Sequence, residues 1–150
     1  MRNVTDKGFS VIELLATIAI LGLLFAVSAS SFARFNRREA VLANASAIAA
    51  SLRDARARTL ASVAGSQYGV KVDANSFIFF QGSTFASSTN TNISYSYGSG
   101  VKASSSISTF VFERVTGNSS ASGTIDVYQV SAPGVSKRVK VQSTGLVSIE

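Results

Sequence analysis

Glu13 is the residue whose placement most demands a chemical reason. It is the one charge in the apolar run FSVIELLATIAILGLLFAV, residues Phe9–Val27. A carboxyl group inside a membrane segment costs about 2.5–3.5 kcal/mol on insertion scales. A place near a helix N-terminus offsets part of that, because the backbone dipole favours negative charge there. The fold of one chain has no need of such a carboxylate. At a membrane interface it would reach lipid head groups. Gly8 stands at the sharp boundary before the run, after the polar stretch Met1–Lys7 that carries Arg2, Asp6 and Lys7.

Little else in the chain is equipped for catalysis. The 150 residues include no His and no Cys, so the commonest general base, thiolate chemistry, disulfides and thiolate metal sites are all excluded. The acids are scattered. There is no phosphate-binding loop and no nucleophile elbow, and no spacing marks a Ser-Lys pair. No cofactor, no metal and no enzymatic activity are expected. The formal charge is +6, which suits anionic lipid, nucleic acid or a solvated positive surface. Lys137, Arg138 and Lys140 form the densest late basic patch.

These residues must be positioned by two kinds of element. Residues Phe9–Val27 come close to the ~20 needed to cross a hydrocarbon core as a helix. Lys7 precedes the run and Arg34, Arg37 and Arg38 follow it, so flanking charge leaves orientation undecided. A cleaved secretory signal would have a shorter core with its small-residue site behind it. Here the boundary Gly lies in front, although Ser28–Ser31 offers small residues downstream. From Arg34 to about Ala64 the sequence is rich in Ala and Arg, both good helix formers. Val41, Ala45, Ile48, Leu52, Ala55, Thr59 and Val63 recur every three or four residues, the spacing of one helix face. A single helix from about Phe9 to Ala64 is expected, roughly 80 Å long at 1.5 Å per residue.

After Gly65 the pattern becomes that of strands. Gln67–Asp73 and Phe77–Gln81 flank a turn at Ala-Asn-Ser and read as a hairpin. Ile93–Tyr97, Ser108–Val115 and Thr124–Val130 read as strands, with Phe110 and Phe112 sharing one face. Ala132–Ser136 reads as a turn around Pro133, and Lys137–Gln142 with Leu146–Ile149 as a last hairpin. The expected class is α+β: a long N-terminal helix, half membrane-spanning and half amphipathic, followed by an antiparallel β-sheet head. The expected segments are 1–8, a leader; 9–30, an apolar helix; 31–65, an amphipathic helix; and 66–150, the β-rich head.

Lys7-Gly8-Phe9-Ser10-Val11-Ile12-Glu13-Leu14-Leu15 resembles the cleavage and methylation signature of type IV prepilins: a basic residue, Gly, Phe, three residues, then Glu within an apolar helix. That resemblance implies a pilin fold, cleavage by a prepilin peptidase between Gly8 and Phe9, and N-methylation of Phe9. Gly8 suits such an enzyme, because a residue without a Cβ allows close backbone approach. The resemblance further implies that Glu13 pairs with the Phe9 amine of a neighbouring subunit during filament assembly. Leu52-Arg53-Asp54-Ala55-Arg56-Ala57-Arg58 and the Val139–Ile149 tail are similar to the type II secretion H pseudopilins and FimT-like minor pilins. The implied protein is a structural minor pilin or pseudopilin of a type IV pilus or a type II secretion pseudopilus. Its implied place is the cytoplasmic membrane, single-pass with an extracytoplasmic head, and then the filament. The implied partners are prepilin peptidase, other pilin or pseudopilin subunits, an inner-membrane assembly platform and membrane lipid. The alternative is a filament-tip subunit that binds DNA or a surface. DNA-binding FimT-like members carry Arg where this chain has Leu146 and Ser148, which disfavours nucleic acid. Arg53, Arg56 and Arg58 are expected to face neighbouring subunits or water.

Overall fold

The computed structural model describes residues 9–87 and 90–150, and at 27–31 the backbone alone. Helix α1 runs Val11–Leu60. Eight strands follow: β1 Tyr68–Val72, β2 Ser76–Gln81, β3 Ile93–Ser96, β4 Val101–Ser105, β5 Thr109–Val111, β6 Gly123–Gln129, β7 Ala132–Val141 and β8 Val147–Ile149. The chain is thus α+β with all strand pairs antiparallel, as the residue patterns require. The strands form two four-stranded sheets, ordered β3-β2-β1-β5 and β4-β6-β7-β8. Two units divide the chain, Met1–Asn36 and Arg37–Glu150, and they differ in character.

In the second unit the helical stripe does what its spacing demands. Val41, Ala45, Ile48, Leu52, Ala55 and Thr59 are all 1% exposed or less. The five apolar ones join one core with Val70, Phe77 and Phe110 of the first sheet and Ile125, Val127, Val139 and Val141 of the second. A helix and two sheets each bury one face in a shared interior. Val63, the last member of the expected stripe, lies beyond the helix and is 42% exposed.

The helix ends earlier than Gly65 because Thr59 has a second task. Its buried hydroxyl donates to the Ala55 carbonyl at 2.7 Å and accepts the Tyr68 N–H at 2.9 Å. The start of β1 is therefore held against the helix end, and the chain must reverse between them. It does so with Ser62, Ala64 and Gly65 all at left-handed φ, 50°, 49° and 62°. The conformation costs the two non-glycine residues roughly 1–2 kcal/mol each, so the tertiary contact outweighs the local preference.

The expected first hairpin forms, with Tyr68 opposite Gln81 and Val72 opposite Phe77. The last one forms between β7 and β8. Residues 132–136 depart from expectation, since they are the start of β7 and not a turn. The register of β6 and β7 shifts between Tyr128 and Gln129, and a bulge of this kind accommodates a proline that cannot donate to the ladder. Strand β5 is shorter than the expected Ser108–Val115, because Phe112 makes only an isolated bridge to Ser119. Strand β4 had no strong signal. Only Val101 and Ala103 face inward, and Ala and Ser are weak strand formers.

Tyr97 is a defect in this core. It is 9% exposed, it packs on Phe77 with ring centroids 6.0 Å apart, and its hydroxyl has no partner among the described residues. Burial, and secondarily the charge of Asp73, push its pKa above the usual tyrosine range. The unfolded chain therefore ionises Tyr97 near pH 10 while the folded chain holds it neutral. The stability this contributes is present below pH 10 and is lost as pH rises beyond it. Tyr97→Phe is expected to be neutral or stabilising by up to about 1 kcal/mol at pH 7, and to flatten the loss above pH 10. Thermal unfolding of the detergent-solubilised protein from pH 7 to 11 checks both; a destabilised variant at pH 7 would show that the hydroxyl has a partner.

Candidate functional site

Phe9 precedes the helix, and the Glu13 and Leu14 N–H groups both donate to the Ser10 carbonyl at 3.1 Å. Glu13 thus lies in the first turn of α1, where the free N–H ends of the helix face a carboxylate favourably. Gly8 and Lys7 lie outside the described residues. Phe9 is 83% exposed, and every described side chain from Phe9 to Ala26 is exposed. Among them Val11, Ile12, Leu14, Leu15, Ile18, Ile20, Leu21, Leu23, Leu24 and Phe25 are each 56–78% exposed. Burying a large apolar side chain is worth about 1.5–3 kcal/mol. Ten of them represent on the order of 20 kcal/mol, more than the ~5–15 kcal/mol that stabilises a whole domain. So much apolar surface on one helix requires a cover. Among the described residues no helix is long and apolar enough to cross a membrane; side chains of the run are described only as far as Ala26.

The three residues of the basic patch do not share one face. Cross-strand partners in a sheet point to the same side. Arg138 and Lys140 pair with Asp126 and Thr124 on the outer face, whereas Lys137 is opposite the fully buried Val127 and faces the helix side. Arg138 is bound to Asp126, Nε to Oδ1 at 2.6 Å and Nη2 to Oδ2 at 3.1 Å. Its charge is engaged within the sheet, leaving Lys140 beside it.

Arg53 and Arg56, exposed and half-buried respectively, also bind this chain's own backbone. Arg53 Nη2 donates to the Val147 carbonyl at 2.9 Å. Arg56 Nε donates to the Gly117 carbonyl at 3.0 Å and its Nη2 to the Thr144 carbonyl at 3.3 Å. Two arginines three positions apart on the helix therefore fasten the last hairpin and the loop before β6 onto α1. Arg58 instead pairs with Asp54 at 3.0 Å and lies over the Phe79 ring at 5.2 Å. The Leu52–Arg58 motif made these arginines conspicuous, but their carbonyl acceptors lie more than sixty positions away and carry no sequence signal.

Residues 5–29 match the model described as the prokaryotic N-terminal methylation motif. The fold is similar to the type IV minor pilin FimU of Pseudomonas aeruginosa strain PAO1, with a TM-score of 0.61 at 12% identity, over 77% of this chain and 92% of that one. It is also similar to the minor pseudopilin EpsH of the Vibrio cholerae type 2 secretion system, with a TM-score of 0.58 at 14% identity, over 73% and 95%. No curated protein matches the chain. The chain therefore carries a prokaryotic N-terminal methylation motif over residues 5–29 and has the α+β fold seen in a minor pilin and a minor pseudopilin.

The arginine fastening also dictates one glycine. Gly145 has φ +76°, and a Cβ there would land on the Gly117 carbonyl oxygen and 2.7 Å from Arg56 Nε. Gly145→Ala is expected to destabilise the protein by about 2–4 kcal/mol, through strain and displacement of the arginine. At Gly134, where a Cβ would meet nothing within 4 Å, alanine should change stability by less than about 0.5 kcal/mol. Equal Tm shifts for the two variants, read by thermal denaturation, would contradict the fastening.

Proposed function

We propose that the chain is the precursor of a structural subunit, of the minor-pilin or pseudopilin kind, in a type IV pilus or a type II secretion pseudopilus. The observation that carries this is the methylation-motif match over residues 5–29, together with the exposure of every described side chain from Phe9 to Ala26. Residues 1–8 are a leader removed by a prepilin peptidase, and Phe9 becomes the methylated N-terminus. Residues 9–30 hold the subunit in the cytoplasmic membrane as a single pass, with the head extracytoplasmic. The sequence of this run supports that reading, being near the length a membrane helix requires. The amphipathic helix continues to Leu60, where α1 ends, and 66–150 form the head.

Glu13 then acts in assembly. In the membrane its carboxylate is poorly satisfied. In the filament it meets the new Phe9 amine of a neighbour, and one contact neutralises two charges in an apolar setting. Lipid covers the helix before extraction by an inner-membrane assembly platform, and other subunits cover it afterwards. The subunit does its work by packing, and no catalytic residue is assigned to it.

The test is intact-mass and N-terminal analysis of the membrane-extracted protein, with and without co-expressed prepilin peptidase. A peptidase-dependent, methylated N-terminus at Phe9 is expected. A chain still beginning at Met1, or cut behind the apolar run, overturns the reading. Glu13→Gln should leave cleavage intact and reduce entry into filaments at least tenfold, measured in the sheared filament fraction. Normal entry of that variant would refute the carboxylate–amine pairing while leaving the subunit class standing.

A further inference from the structure

The head carries a projection and a recess at opposite ends of its helix. The projection is the loop Glu113–Gly117, whose tip residue Val115 is 91% exposed, an unusual place for an aliphatic side chain. The loop is braced rather than loose. The Gly117 N–H donates to the Glu113 carbonyl at 3.0 Å, the Glu113 N–H to the Asn118 carbonyl at 2.9 Å, and the Thr116 hydroxyl to Glu113 Oε2 at 2.8 Å. Asn118 N–H closes it on Thr116 Oγ1 at 3.1 Å. Gly117 sits against Leu60, the last residue of α1: a Cβ there would meet its side chain at 3.0 Å.

The recess is an open cleft of about 250 Å³ between Arg38–Leu42 of α1 and Gly134–Lys137 of β7. Its floor is apolar, with Val41 buried, Val135 partly buried and Leu42 39% exposed. Its rim carries Arg38, Lys137 and Glu39, none of which is in an ion pair among the described residues. Arg114, beside the exposed valine, is likewise in none. Val41 and Leu60 are nineteen helix positions apart, roughly 28 Å at 1.5 Å per residue.

We infer that the Val115 loop of one copy of this chain seats in the Arg38–Lys137 cleft of a second copy, joining heads end to end. Val115 meets the Val41, Leu42 and Val135 floor. Glu113 faces Arg38 and Lys137, and Arg114 faces Glu39, so charges on the projection and the rim are complementary. Shape and charge suit a second copy because both halves of the contact are on this chain. Projection and recess are different surfaces, so the contact is heterologous and leaves a free projection at one end and a free recess at the other. Such contacts propagate as open helical arrays unless the rotation closes them. A braced loop also loses little freedom on docking. Two neighbouring copies suffice to make one such contact. The inference rests on the filament reading above and specifies which head surfaces meet.

The chain has no cysteine, so disulfide trapping is free of background. Two differently tagged full-length chains, one Val115→Cys and one Leu42→Cys, are co-expressed with the peptidase and oxidised in membranes and filaments. A cross-linked species carrying both tags is expected, at least tenfold above a pair in which Ser104→Cys, on the outer face of β4, replaces Leu42→Cys. Adding Glu113→Lys to the first chain should lower the yield several-fold, and adding Lys137→Glu to the second should restore it. Linkage no greater than the Ser104 control, or linkage only between two Val115→Cys chains, overturns the contact. If cleavage at Phe9 and Glu13-dependent filament entry persist in that case, only the head contact fails; if they are lost too, the filament reading fails with it.

Discussion

Helix α1 is asked to live in two environments, and the structure follows from where its sequence changes between them. From Val41 to Thr59 one residue in every three or four faces protein, and that stripe is fully buried. From Phe9 to Ala26 every described side chain is exposed. The first pattern is that of a helix solvated on one side and packed on the other. The second is apolar all round, which in water is stable only when something else covers it. Both sheets share the stripe as their common floor, so the head's core is organised by the same helix that carries the motif matched over residues 5–29.

The sheets are tied to that helix by polar contacts as well as by packing, and these are concentrated near its C-terminal end. Thr59 takes the first N–H of β1, Arg53 the carbonyl of Val147 and Arg56 those of Gly117 and Thr144. A guanidinium is well suited to this, since its planar fork presents several donors in fixed directions. Charge-assisted hydrogen bonds are also stronger than neutral ones. The last hairpin is only three residues long on the β8 side, and a short edge strand has few ladder bonds of its own. Two arginines on the helix supply what the ladder lacks. Gly145 follows from that arrangement, because an arginine and a carbonyl occupy the space a side chain would need.

Elements with strong periodicity were legible in the sequence. The buried stripe, the Tyr68–Gln81 hairpin and the final hairpin each rest on a regular spacing of apolar residues, and each forms. What escaped rests on distant partners. Nothing local in Val101–Ser105 distinguishes a strand from a Ser-rich loop, and only pairing with β6 makes it one. Pro133 signals a turn, yet a bulge lets the chain pass it within β7. The division into two sheets is decided by which strands meet β1 and which meet β6, a matter of long-range pairing that alternation does not encode. At the candidate site the motif around Glu13 was readable because its elements lie within nine residues. The carbonyl partners of Arg53 and Arg56 were not, because backbone acceptors are the same at every position.

Basic composition is also a poor guide to basic surface here. The chain has a formal charge of +6, but several of the head's cations are engaged. Arg58, Lys71 and Arg138 are in ion pairs, and Arg53 and Arg56 donate to carbonyls. Lys137 and Lys140 are three residues apart in sequence and lie on opposite sides of the sheet. Affinity for a nucleic-acid backbone grows with the number of phosphates neutralised together, and Lys137 and Lys140, on opposite faces, do not add in that way. What charge at a recess does provide is selectivity between protein surfaces. A rim with two cations and an anion, set around an apolar floor, repels most loops and accepts one that carries the opposite pattern, because mismatched charge disfavours other partners more than matched charge strengthens the right one.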